Sequence, residues 1–143
     1  PKTLEVLETL GVPVIAFGQD YFPAFWSRSS GLRAPLRLDT PAAVARAHRM
    51  RADLGLSGGQ LVANPIPADA EIPSHVSGPH IEHALSDAAR DGISAKDVTP
   101  YLLSRIFTLT QGASLAANIA LVLNNARLAS AIAQVISDIP AGN

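Results

Sequence analysis

The sequence predicts an α/β fold, and three observations carry the prediction. "VPVIAFG" (Val12 to Gly18) is a short apolar run closed by glycine, as expected of a strand buried on both faces of a mostly parallel sheet. A second such run lies at Gln60 to Ala63 in "GGQLVANPIP". Around these runs stand segments with helical spacing and recognisable helix ends. With 143 residues, 48% of them hydrophobic, the chain has material for one domain with its own core.

The elements follow in order. Residues 2 to 10 place Leu4, Val6, Leu7 and Leu10 at helical spacing, and Gly11 supplies the stop. After the first strand, "QDYFPAFWSRSSGLRAPLRL" is rich in aromatics, proline and serine and predicts an irregular loop with at most a short strand near Leu36 to Leu38. "DTPAAVARAHRMRADLG" has Asp39 and Thr40 as caps, Pro41 in the first turn and Gly55 past the end, which predicts a helix. The second buried strand then runs into Asn64-Pro65-Ile66-Pro67. Ligands gather outside the carboxyl ends of parallel strands, so this loop is a candidate site wall. A helix is expected over roughly residues 79 to 91, another from Thr99-Pro100 to about Leu109, and a long one from Ser114. Two strands are few for about five helices. Together with an opening on Pro1 rather than Met, this leads us to expect that residues 1 to 143 are the C-terminal portion of a single α/β domain whose N-terminal half supplies further strands.

Composition narrows the partners. Eleven basic and twelve acidic side chains leave a formal charge of -1, with no block of like charge, so nucleic acid and anionic membrane are poor candidates. Without cysteine the chain has no disulfide, no thiolate nucleophile and no cysteine metal site. "PKTLEVLETLG" lacks the basic-then-apolar layout of a signal peptide, and Asn118, Asn124, Asn125 and Arg127 interrupt the most apolar helix. A soluble, cytoplasmic protein is expected.

The asparagines of "SLAANIALVLNNARLASAIA" (Ser114 to Ala133) are the most informative polar groups. At 100° per residue, Asn125 lies about 20° from Asn118, in the same arc as Leu115, Val122, Ala126, Ala129 and Ile136, whereas Asn124 points about 120° away. Asn118 and Asn125 are therefore expected on the apolar face, where each amide needs a partner. That partner is either the backbone of a neighbouring loop or a ligand with a polar edge. An amide presents a donor and an acceptor side by side, which suits a nucleobase or another imide-like ring.

Other groups carry weaker signals. His75, His80 and His83, with Glu71 and Glu82, invite a metal reading, but the Ser77-Gly78-Pro79 interruption favours a solvated face. Arg28 with Ser27, Ser29 and Ser30 could meet an anion, or the loop could be pinned to its own core or to a neighbouring subunit. The glycine pair in "LSGGQ" precedes a strand rather than a helix, so a phosphate loop is excluded. Lys2 and Lys96 sit in polar surroundings, and neither suits imine chemistry.

"LETLGVPV", "PAFWSRSSGL", "GGQLVANPIP", "VTPYLLSRI" and "SLAANIALVLNNARLA" together resemble the carboxyl-terminal half of the pseudouridine-5'-phosphate glycosidases, from residue 1 to about residue 136. The resemblance implies an α-β-α layered fold and an enzyme that reversibly cleaves the C–C glycosidic bond of pseudouridine 5'-phosphate to uracil and ribose 5-phosphate. It implies a lysine that forms an imine with C1' of the opened sugar, a glutamate that handles the proton at the base, and a manganese ion at the phosphate end. By the same resemblance, these catalytic and metal-binding groups belong to the N-terminal half, the lysine lying just before the position of Pro1. No catalytic residue and no metal ligand is thus expected in this chain. Asn118 corresponds to the family asparagine that contacts the base, and Asn125 and Asn64 are expected to support it, Asn64 by fixing the Pro65 turn. The resemblance further implies a homotrimer, with the loop from Asp20 to Trp26 at a subunit boundary.

This chain departs from the family pattern at Gln111, where a second glycine is usual, and at Ala95-Lys96, where glycine-lysine is usual. "HVSGPHIEHAL" is also unusual. Relatives in natural-product biosynthesis join ribose 5-phosphate to an aromatic polyketide carbon, so a C-ribosyl synthase is the alternative reading. A non-catalytic α/β subunit is a third.

Overall fold

The computed structural model describes residues 2–139; Pro1 and residues 140–143 lie outside the described residues. Helix α1 (Lys2–Thr9) leads into strand β1 (Val14–Phe17), followed by strand β2 (Leu36–Leu38), helix α2 (Pro41–Asp53) and strand β3 (Leu61–Ala63). Helices α3 (Ser74–Arg90), α4 (Val98–Leu109) and α5 (Ala113–Asp138) complete the chain, with single 3-10 turns at Ala68–Ala70 and Ala95–Asp97.

The three strands form a parallel sheet in the order β2-β1-β3. Ile15 stands opposite Leu36 on one side and Val62 on the other. The central strand is buried as its unbroken apolar run predicts, with Val14, Ile15 and Ala16 all in the core. Gln60 to Ala63 was expected to be buried in the same way and is not. β3 starts at Leu61, which is 38% exposed, because among the described residues the strand has a neighbour on one side only. The short strand at Leu36 to Leu38 forms as expected and makes the count three rather than two.

Helix α2 begins where its sequence predicts. The Thr40 hydroxyl oxygen accepts from the backbone N–H of Ala43 at 3.1 Å, and Pro41 occupies the first turn. Asp39 is not a cap; its carboxylate pairs instead with Arg37 at 2.7 Å. Gly55 has φ 68°, the left-handed conformation that ends a helix at least cost. Helix α3 starts at Ser74, five residues ahead of expectation, and runs through Gly78 and Pro79. Proline removes one backbone donor, and here the carbonyl four residues before it belongs to His75, which is exposed to water. The chain therefore crosses Pro79 without breaking the helix.

The main core cluster joins Trp26, Ile66, Ala84, Ile106, Ala117 and Leu121. Trp26 is 7% exposed, and its indole N–H donates to the carbonyl of Ser114 at 3.1 Å, tying the irregular loop to the first turn of α5. Within the loop from Asp20 to Trp26, the Trp26 ring fills this chain's own core while Tyr21 stays exposed. Phe25 stays half-exposed, edge-on to Trp26 with ring centroids 4.8 Å apart.

α3 and α4 are joined by charge. The Asp87 carboxylate, 3% exposed as a side chain, accepts from Arg105 at 2.7 Å and Arg90 at 2.9 Å, with His83 at 3.6 Å. The hydrogen bond from Arg105 holds the Asp87 carboxyl below the usual carboxylate range, outweighing the opposing effect of burial. A carboxyl that ionises at lower pH in the folded chain than in the unfolded one stabilises the fold above its unfolded value, about 3.9. That contribution is lost as pH falls through the lower, folded value. Asp87→Asn should therefore lower the melting temperature at pH 7, and the gap from the parent chain should close as both are melted at pH 4, 3 and 2.

Gln111, where the resembling family carries glycine, has φ 51°. A side chain in this conformation costs about 1–2 kcal/mol relative to glycine, partly offset by the greater freedom that glycine has when unfolded. Gln111→Gly should raise stability by up to about 1 kcal/mol in urea unfolding.

Candidate functional site

The site begins at the carboxyl end of β3. Pro65 and Pro67 lack N–H groups, so Asn64-Pro65-Ile66-Pro67 cannot extend the sheet as an ordinary strand. Ile66 is nonetheless fully buried and draws the surrounding backbone inward. Two distant side chains satisfy the carbonyls: Asn124 Nδ2 donates to the Pro65 oxygen at 3.0 Å, and Arg28 Nη1 donates to the Ile66 oxygen at 2.8 Å. Asn64 Nδ2 donates to Asn125 Oδ1 at 3.2 Å. Consecutive asparagines of α5 thus grip consecutive residues of the loop.

Asn64 and Asn125, each expected to support Asn118, meet one another instead, at the edge of a hollow of about 230 Å³ lined also by Val62, Leu128, Ala129 and Ile132. Their mutual bond leaves an amide donor on Asn125 and a carbonyl oxygen on Asn64. Asn118 does not join them. It stands two turns earlier, about 10 Å along the helix axis. There it lines a second hollow, about 220 Å³, with Trp26, Leu103, Phe107, Ser114 and Leu115. Asn118 is half-buried, and among the described residues no hydrogen-bond partner meets its side-chain amide.

The apolar face of α5 requires a correction. The buried side of the helix is Ser114, Ala117 and Leu121, with Asn124 and Leu128 half-buried. Leu115, Val122, Ala126, Ala129 and Ile136, expected in the interior beside Asn118 and Asn125, are exposed, and so is Asn125. Small Ser114 and Ala117 let the helix approach the Trp26 indole closely, which turns the larger apolar side chains outward. Asn124, set apart by helical spacing, is the asparagine that pins the loop. Only the fold of the loop reveals this, because its partner is a carbonyl fifty-nine positions away in sequence.

Arg28 and the nearby serines are committed to groups of the protein itself. Ser27 Oγ donates to the Ile72 oxygen at 2.7 Å, Ser30 Oγ to the Phe22 oxygen at 2.7 Å, and the Arg28 backbone N–H to a Glu71 carboxylate oxygen at 2.8 Å. Of the two readings open for this stretch, a loop pinned to its own core is the observed one. Among the described residues no three His, Asp or Glu side chains converge to hold a metal ion.

A parallel α/β unit with an amide-lined face beyond the carboxyl end of an edge strand is thus the class of protein in hand. Residues 1–135 match the model of the family described as indigoidine synthase A like protein, and the chain belongs to that family. It is 69% identical over 137 residues to a pseudouridine-5'-phosphate glycosidase of Paracoccus denitrificans, covering 96% of this chain and 45% of the relative. A protein of the same name from Jannaschia sp. is 66% identical over 137 residues, with the same coverage. Among solved structures, the prealnumycin C-glycosynthase in complex with ribulose 5-phosphate superposes with a TM-score of 0.85 at 28% identity, over 96% of this chain and 45% of that one. An indigoidine synthase A-like protein of Thermotoga maritima gives 0.79 at 36% identity, over 92% and 43%. The chain spans about half the length of the curated relatives it matches.

The two neighbouring asparagines should separate in a stability measurement. Asn124→Ala leaves the carbonyl of buried Pro65 without its donor and should cost about 1–3 kcal/mol in urea unfolding. Asn125→Ala, at an exposed position, should cost less than about 0.5 kcal/mol.

Proposed function

We propose that this chain is the C-terminal portion of an enzyme that reversibly splits the C–C glycosidic bond of pseudouridine 5'-phosphate, giving uracil and ribose 5-phosphate. The observation that carries the reading is its high identity, over nearly the whole chain, with relatives named pseudouridine-5'-phosphate glycosidases. A carbon–carbon bond to a base leaves only if the electrons left on either fragment are stabilised. An imine between a lysine and the opened sugar supplies such a sink. We assign that lysine, the proton-handling glutamate and the manganese ligands to the part of the protein outside this chain.

The role of this chain is recognition. Asn118 offers an amide without a partner among the described residues, beside the apolar walls of Leu103, Phe107 and Leu115. A planar ring with an imide edge could pair with that amide while its faces rest on the apolar walls. Asn64 and Asn125 give a second polar edge farther along α5, above a loop held rigid by Asn124. A homotrimer in the cytoplasm, with a sugar phosphate as the small-molecule substrate, completes the reading.

The alternative, a C-ribosyl synthase with an aromatic polyketide acceptor, draws on the similarity to the prealnumycin C-glycosynthase. Identity to that protein is far lower than to the glycosidases, which favours uracil. Full-length protein should release uracil from pseudouridine 5'-phosphate in a chromatographic assay. Turnover of ribose 5-phosphate with an aromatic quinone, and none with uracil, would replace the first reading with the second. Inactivity with both, in a protein that folds, would point to a non-catalytic subunit.

Asn118→Ala should keep its cooperative melt and lose affinity for the base by about 1–3 kcal/mol, read as a 5- to 150-fold rise in the inhibition constant of uracil. A variant that unfolds instead would make Asn118 a structural residue.

A further inference from the structure

The outward side of α5 is the least explained surface of the molecule. The helix is 26 residues long, and by length and composition alone it could cross a membrane, yet only 6% of its most apolar eighteen-residue window is buried. Leu115 (49% exposed), Ile119 (52%), Val122 (57%) and Leu123 (50%) crowd its first half. Asn118 and Asn125 stand on the border between this surface and the packed side. β3, whose Val62 reaches the hollow beside Asn125, has no strand on its outer side among the described residues. Parallel sheets are ordinarily covered on both faces. A contiguous apolar surface of this kind marks an interface.

We propose that this surface, centred on Val122, is the seat of the segment that makes up the remainder of the relatives' length, so that the two candidate hollows close only when that segment lies across α5. The first support is length: both the sequence relatives and the superposed C-glycosynthase contain this unit within a chain about twice as long. The second is the placement of the polar groups. Asn118 and Asn125 lie along the border of the bare surface, so a segment seated there would meet both, whereas one docked on the α1 or α3 side would meet neither. A lipid environment fits poorly, because Asn118, Asn124, Asn125 and Arg127 fall in the middle of the helix. A second copy would cover the apolar side chains but would bring no group of new chemistry to the free amides. The inference shares with the proposed function only the premise of a longer protein, and its test reads contact rather than turnover.

The test is a chimera in which this chain replaces its 69%-identical counterpart in the Paracoccus denitrificans relative. A photo-crosslinking phenylalanine analogue is placed at Val122 or, as a control, at the exposed and charged Glu82 on α3. Irradiation at Val122 should give intramolecular cross-links to the relative's own segment, located by peptide mass spectrometry, and Glu82 should give none. Deuterium uptake at α5 amides around Val122 should be at least tenfold slower in the chimera than in the 143-residue chain, with the α3 amides around Glu82 unchanged. Cross-links between two copies would overturn the proposal in favour of a self-interface. Cross-links to phosphatidylcholine vesicles would overturn it in favour of a membrane. A folded chimera with neither cross-link nor protection would overturn it too, and a chimera that fails to fold would count against it, since the seat would then reject so similar a cover. A chimera that shows the contact but releases no uracil would leave this inference standing and remove the proposed activity.

Discussion

The structure depends on how one buried, proline-flanked segment satisfies its backbone. Ile66 packs with Trp26, Ile106 and Leu121, and burying it carries the Pro65 and Ile66 carbonyls away from water. A sheet would normally supply donors for such groups, but Pro65 and Pro67 prevent regular pairing. The donors come instead from Asn124 on α5 and from Arg28 in the aromatic loop. Three elements remote in sequence are thereby held at the carboxyl end of β3, where an α/β protein places its ligand.

Trp26 reinforces the same junction from the other side. Its ring is the largest in the core cluster, and its indole N–H bonds the first turn of α5. Both asparagine pairs and both hollows take their positions from this docking of α5. The Asp87 ion cluster performs a comparable service between α3 and α4, where small residues such as Ala84 and Ala88 bury little apolar area of their own. The candidate site therefore rests on a scaffold in which polar side chains substitute for missing backbone pairing.

α5 has two characters. Its small-residue side packs inward, while its larger aliphatic side chains face out and border the asparagines. A helix apolar over so wide an arc is expected inside a larger body. The similarity to proteins about twice as long gives that expectation a physical form: the amides of Asn118 and Asn125 lie along the border of a surface not covered among the described residues. Membership in the indigoidine synthase A-like family accounts for the fold, and Asn118 and Asn125 each border a hollow along α5.

Much was legible in the sequence because it depends on neighbours along the chain. The α/β class, the buried central strand, the Thr40–Pro41 start of α2 and the Gly55 stop all follow from local spacing and cap chemistry. The resemblance singled out Asn64, Asn118 and Asn125, but did not reveal that Asn64 would bond Asn125 with Asn118 apart from both. What only the tertiary structure decided involves partners far apart. β3 became a partly exposed edge because nothing among the described residues pairs with its other side, and α3 passed through Pro79 because the orphaned carbonyl could reach water. Trp26 turned inward, and α5 rotated to present Ser114 and Ala117 rather than Val122 to the core. Helical periodicity tells which residues share a face. Which of two adjacent apolar faces is covered depends on the size of the side chains approaching it, and those come from other parts of the chain.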